Sequence, residues 1–90
     1  MRSQLETESG KRVLVTGAAG GLGRETAIQL AQRGCLVGIV DINAEGTAET
    51  ADLVRTQNAD VESIVDDLTV EGAPEGAVGR IVERWGGIDL

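Results

Sequence analysis

Histidine, tyrosine and phenylalanine are absent from the 90 residues, and Trp85 is the one aromatic side chain. The imidazole and phenol groups that commonly serve as proton donors are therefore missing from this stretch. A single cysteine, Cys35, excludes an internal disulfide or a multi-cysteine metal site. Lying between Gly34 and Leu36, it reads as a small buried hydrophobe. No apolar run approaches the ~20 residues of a membrane-spanning helix. The polar start, Met1 to Gly10, has no apolar signal core, so a reducing, cytoplasmic setting is expected. Basic residues are also scarce after the first forty positions. Residues 1–40 carry five basic and three acidic side chains, and residues 41–90 carry three and twelve, for a net charge of -7. That acidic half would repel a polyanion, which argues against nucleic acid and against an anionic membrane surface as partners.

Glycine, by contrast, is plentiful and concentrated. Thr16-Gly17-Ala18-Ala19-Gly20-Gly21-Leu22-Gly23 follows the apolar run Val13-Leu14-Val15 and opens into a helical pattern. Glycines at such a turn let the backbone bend tightly and let a ligand approach without meeting a Cβ. The helix that follows offers unpaired N–H groups and the positive end of its dipole, which together suit a phosphate. No register of these glycines fits the ordinary dinucleotide spacing G-x-G-x-x-G.

Periodicity predicts alternating strands and helices. Arg12 to Thr16 and Leu36 to Val40 are apolar runs suited to strands buried on both faces, the second ending at Asp41. From Leu22 the pattern is helical, with Gly23, Ala27, Leu30, Ala31 and Gly34 as its small-residue stripe. A second helix is expected over Ala44 to Arg55, capped by Asn43, with Ala48, Ala51 and Val54 inward. Val61 to Val65 reads as a more peripheral strand because of Glu62 and Ser63. Pro74 favours a third helix beginning near itself after a looser lead-in from Thr69, with Val78, Ile81, Val82 and Trp85 as its apolar stripe. Gly86-Gly87 would end it, and Ile88-Asp89-Leu90 would begin a fourth strand. The fold class that follows is α/β, a partial doubly wound Rossmann-type parallel sheet in the order 3-2-1 with the fourth strand beside strand one. Helices one and two should share one face and helix three the other. Residues 1–11 read as a flexible tail and 12–90 as one incomplete domain.

Two sites carry chemistry besides the loop. Asp41 ends strand two, 24 residues beyond Gly17. A carboxylate there can accept from both adenosine-ribose hydroxyls of NAD, and it would repel the 2′-phosphate of NADP; no Arg or Lys follows, only Ile42 and Asn43. Its structural alternative is a cap for the next helix. Asp66 and Asp67 follow strand three, where either could accept from an adenine amino group or simply solubilise the strand end; an Asp-Asp pair without a phosphate-loop lysine is weak support for magnesium.

Together the Thr-Gly-x-x-x-Gly-x-Gly loop, Asp41, Asp67-Leu68-Thr69 and Trp85-Gly86-Gly87-Ile88-Asp89-Leu90 resemble the short-chain dehydrogenase/reductase family over about Lys11 to Leu90. The resemblance implies cofactor contacts at Gly17, Gly21, Leu22 and Gly23, at Asp41 with Ile42, and at Asp67 with Leu68. Asp66 is the alternative register for the adenine contact. It implies NAD as cofactor, in preference to NADP, and an alcohol/ketone oxidoreductase that works as a homo-oligomer in full-length form. The family's Asn-Asn-Ala-Gly segment and its catalytic Ser, Tyr-x-x-x-Lys and assisting Asn do not occur in these 90 residues. The chain is therefore expected to be a front, cofactor-binding part without hydride transfer of its own, marginally folded and prone to associate. No catalytic or metal-ligating residue is assigned. The competing expectations are a non-catalytic nucleotide-binding module and an acidic protein-interaction fragment.

Overall fold

The apolar runs form the sheet. In the computed structural model, which describes residues 9–90, β1 (Arg12–Thr16), β2 (Leu36–Asp41) and β3 (Val61–Val65) alternate with α1 (Gly21–Gln32), α2 (Ala44–Arg55) and α3 (Ala73–Trp85). All pairing is parallel, in the spatial order β1-β2-β3, with Val13 opposite Val37 and Val37 opposite Val61. Strand two is thus internal, as its unbroken apolar run predicts.

Strand alternation sends the side chains to two cores. Val13, Val15, Val37, Ile39 and Val61 pack with Ala27 and Ala31 of α1 and Ala51 and Val54 of α2. Val40 and Ile64 face the other way, onto Ala77 and Ile81 of α3, with Leu14, Leu68, Trp85 and Ile88 around them. Helices one and two therefore share a face and helix three covers the opposite one. Cys35 is buried in the first core.

Two helices are rotated from the expected facing. In α2 the expected inward residue Ala48 is exposed, and Gly46, Thr47, Thr50, Ala51 and Val54 form the buried side. Threonine can take those positions because its hydroxyl finds a backbone acceptor: Thr47 Oγ1 donates to the Asn43 carbonyl at 2.7 Å and Thr50 Oγ1 to the Ala18 carbonyl at 2.7 Å. In α3 the buried row is Ala73, Ala77 and Ile81, whereas Val78 and Val82, expected in the stripe, are 38 % and 42 % exposed. The cause lies in the sheet. Gly38 has no side chain, and a Cβ there would run into Ile81 Cδ1, so the helix settles with Ile81 over the glycine and its alanines against the strands. Gly72 stands at the N-cap and the helix starts next to Pro74, as expected, with the proline in the first turn where it costs no hydrogen bond.

The edges are covered by charge and by chain. On β3, Glu62 accepts from Arg80 and Arg84 of α3, each at 2.5 Å, while Asp60 accepts from Arg84 and from the Trp85 indole. Arg84 foremost, then Arg80, hold the Glu62 carboxyl below its usual value. Beyond β1, the Leu14 N–H donates to the Leu90 carbonyl at 2.8 Å and the Asp89 N–H to the Arg12 carbonyl at 2.7 Å. Ile88 to Leu90 thus lie where a fourth strand was expected. The expected tail falls largely outside the described residues; within them, the Gly10 N–H donates to the Gly34 carbonyl at 3.0 Å.

Asp89 locks that last segment to β1. Its carboxylate accepts from Arg12 Nε at 3.0 Å, Arg12 Nη2 at 3.2 Å and the Arg12 backbone N–H at 2.8 Å, and the Arg12 side-chain bonds foremost pull its pKa down to about 2. A depressed carboxyl contributes stability that is present above the unfolded value of ~3.9 and is lost as pH falls through the folded one. Denaturant melts between pH 5 and about pH 2 should therefore show a steeper loss for the wild type than for Asp89→Asn. Parallel pH profiles would show that the pair does not couple to folding.

Candidate functional site

Parallel pairing brings the carboxyl ends of all three strands to one edge of the sheet, with Thr16 opposite Val40 and Asp41 opposite Val65. The segments that follow each strand meet there. After β1 the backbone turns at Gly17, whose φ of +65° suits glycine, and reaches α1 through Gly20, an extended N-cap with no side-chain cap. No acidic residue occupies the first turn of α1, and its first N–H groups have no intrahelical acceptor. Gly23 is required by contact: a Cβ on it would strike the Gly17 carbonyl oxygen. The loop is thus folded back on the helix that follows it, which is possible only with glycine at that position.

Asp41 faces this loop from the end of β2. One carboxylate oxygen accepts from the Ala19 N–H at 3.1 Å and the other from the Asn43 N–H at 3.0 Å. These bonds, Asn43 first and Ala19 second, hold its carboxyl below the usual range. The capping alternative is removed by the geometry, because α2 is capped by Asn43, whose Oδ1 accepts from the Gly46 N–H at 2.9 Å. Asp41 is an anion free of helix-capping duty, with lone pairs left for another donor.

After β3, Asp67 Oδ1 accepts from the Thr69 hydroxyl at 2.6 Å and from the Thr69 N–H at 2.9 Å, and Thr69 lowers its pKa. Asp66 instead accepts from the Asp67 N–H at 2.8 Å. Gly17, Val40, Asp41, Ile42, Asp66, Asp67 and Leu68 line one open cleft of ≈ 180 Å³. Gly21, Leu22 and Gly23 stand outside that cleft. Leu22, 82 % exposed, and Gly23 border a separate apolar hollow of ≈ 540 Å³ against β1 and Leu90. Among the described residues no cluster of three His, Cys, Asp or Glu is placed to hold a metal ion.

Three further residues shape the loop without having been singled out in the sequence. Gly46 of α2 lies so near the loop that a Cβ on it would come within 2.8 Å of the Ala19 Cβ. Thr50, fully buried, and Arg24, at the start of α1, bond to loop carbonyls. A glycine in the first turn of α2 and a threonine in a buried row were the available signals, and neither points to the loop without the fold.

The whole of residues 11–90 matches the family model for short chain dehydrogenase. Levodione reductase from Leifsonia aquatica is 39 % identical over 79 residues, which cover 86 % of this chain and 30 % of that enzyme. A structure of NAD+-bound xylitol dehydrogenase superposes with a TM-score of 0.86 at 38 % identity, over 90 % of this chain and 31 % of the other. Carveol dehydrogenase from Mycobacterium avium, in complex with NAD, superposes with a TM-score of 0.85 at 33 % identity, over 90 % of this chain and 34 % of the other. The chain spans about a third of the length of the curated relatives it matches. The fold, the glycine loop and the matched span together place this chain in the short-chain dehydrogenase family, as its N-terminal, nucleotide-binding part.

Proposed function

We propose that this chain binds the adenosine and diphosphate portion of NAD, as the cofactor-binding part of an oxidoreductase that acts on an alcohol/ketone pair. The observation that carries the reading is the Asp41 carboxylate, anchored to the glycine loop and opening on the cleft at the end of β2. In this reading Asp41, with Ile42 beside it, accepts the ribose hydroxyls, and Asp67 and Leu68 border the adenine. Gly17, Gly21, Leu22 and Gly23 form the turn and first helical N–H groups that meet the diphosphate. The open space beside Gly17, Gly20 and Gly21 and the uncapped start of α1 fit such a group. The NAD complexes of xylitol and carveol dehydrogenase support this choice of cofactor.

When bound, the nicotinamide supplies the hydride chemistry; the residues present here bind and orient the opposite end of the molecule. The proton-relay groups of the resembling family are not among these residues, so catalysis, the small alcohol or carbonyl substrate and homo-oligomer assembly belong to a longer form. A cytoplasmic location accords with the lone buried cysteine.

Calorimetric titration of the purified chain with NAD and NADP tests the reading. NAD should bind the more tightly, since an exposed 2′-phosphate would sit against the Asp41 anion. Tighter NADP binding, or no binding of either, would overturn it.

A further inference from the structure

The four residues between Gly17 and Leu22 are two alanines and two glycines, which have no side-chain polar groups with which to orient their own peptides. Their orientation is imposed from behind, by α1 and α2. Thr50 Oγ1 donates to the Ala18 carbonyl at 2.7 Å, and Arg24 Nε donates to that same hydroxyl at 2.9 Å. Arg24 Nη2 donates to the Ala19 carbonyl at 2.6 Å and to the Gly46 carbonyl at 3.1 Å, with Glu49 as a further partner at 3.2 Å. One guanidinium thus ties together the loop, the first turn of α2 and the hydroxyl that holds the preceding loop carbonyl. Its side chain is 28 % exposed, and Thr50 is fully buried.

We propose that Arg24, acting directly and through Thr50, is a positioning residue that sets the directions of the N–H groups in the diphosphate-binding loop; this rests on the NAD reading of the site. The physical reason is the planar trans peptide, in which C=O and the next N–H point in opposite directions. Holding the Ala18 carbonyl toward Thr50 turns the Ala19 N–H the opposite way, and there it meets Asp41. Holding the Ala19 carbonyl toward Arg24 likewise turns the Gly20 N–H away from the guanidinium, outward from the loop. The first pair is observed at both ends, and it is the internal check on the second. Arg24 therefore acts on the ligand through backbone direction. Lysine would keep the charge but lacks the rigid fork needed to reach Thr50, Ala19 and Gly46 together.

The test is calorimetry of the wild type, Arg24→Lys, Thr50→Ala and Thr50→Ser with ADP and with adenosine, beside a thermal melt of each variant. Adenosine uses the Asp41 and Asp67 end alone, while ADP also uses the loop. Arg24→Lys and Thr50→Ala should each weaken ADP by about tenfold, a change of ~1.4 kcal/mol, and leave adenosine within about twofold. Thr50→Ser, which keeps the hydroxyl, should bind ADP as the wild type does. Retention of ADP affinity by Arg24→Lys and Thr50→Ala would overturn the positioning role and leave the NAD reading standing, as would an equal loss of ADP and adenosine. A wild type that binds neither ligand would overturn the NAD reading itself.

Discussion

Arginine in place of Asp41 is expected to weaken NAD by about 100-fold and to bring NADP ahead of it. The carboxylate would accept two ribose hydroxyls, and each bond to a charged group is worth about 1.5–3 kcal/mol. Losing both at the lower end of that range, about 3 kcal/mol, accounts for the factor, and the guanidinium then offers a fork to the 2′-phosphate. The substitution also removes the acceptor of the Ala19 N–H, so the loop loses its tie to β2. Asp41→Asn separates these effects: it keeps one acceptor oxygen but loses the charge, and should fall between the two, at about tenfold. A pH series adds a second readout. Because Asn43 and Ala19 lower the Asp41 pKa, the anion persists to lower pH than that of an ordinary aspartate. NAD affinity should begin to fall at a correspondingly lower pH, and the acid limb should be smaller in Asp41→Asn. Calorimetry of the three proteins decides it; NAD affinity within twofold of wild type in Asp41→Arg would mean that the carboxylate does not meet the ribose.

The second large effect is expected from one methyl group. Gly23→Ala puts a Cβ into the Gly17 carbonyl oxygen, a backbone atom in a turn with φ of +65° and thus without a flexible end to move aside. Overpacking of this kind costs about 1–3 kcal/mol of stability. Relief requires the loop to lift from α1, which displaces the N–H groups proposed to meet the diphosphate, so ADP binding should be lost in the same variant. Gly20→Ala is the control. Its backbone is extended and open space surrounds its Cβ position, so stability should remain within about 0.5 kcal/mol of wild type. Urea melts of the two variants side by side measure the difference. Equal stabilities would show that the Gly17–Gly23 approach relaxes without strain.

The strands and their order were legible because β1 and β2 are unbroken apolar runs, while Glu62 marks β3 as an edge. The glycine spacing and the position of Asp41 after β2 were legible for a related reason: a tight turn and a strand end are local events with short-range residue requirements. Asn43 as a cap belongs to the same class.

Helix rotation was not legible. Ala48 and Thr50 differ by too little transfer free energy to settle which side faces inward, Val82 against Ala77 would favour the side that is not buried, and one residue turns a helix by ~100°. In α3 the deciding element is the missing side chain of Gly38, about forty residues earlier in the chain, beneath Ile81. In α2 it is the Ala18 carbonyl, which gives the buried Thr50 hydroxyl an acceptor. Arg24 shows the same division most sharply. On a helix taken alone it is a solvated cation, and its acceptors at Gly46 and Thr50 become neighbours only when α2 returns across the sheet. The sequence by itself determined the strands, the turn and the anionic residue beside it, because each depends on backbone conformation and burial over a few consecutive residues. Tertiary structure alone decided how the loop is held, since its polar partners are supplied by segments that only the parallel crossovers bring together.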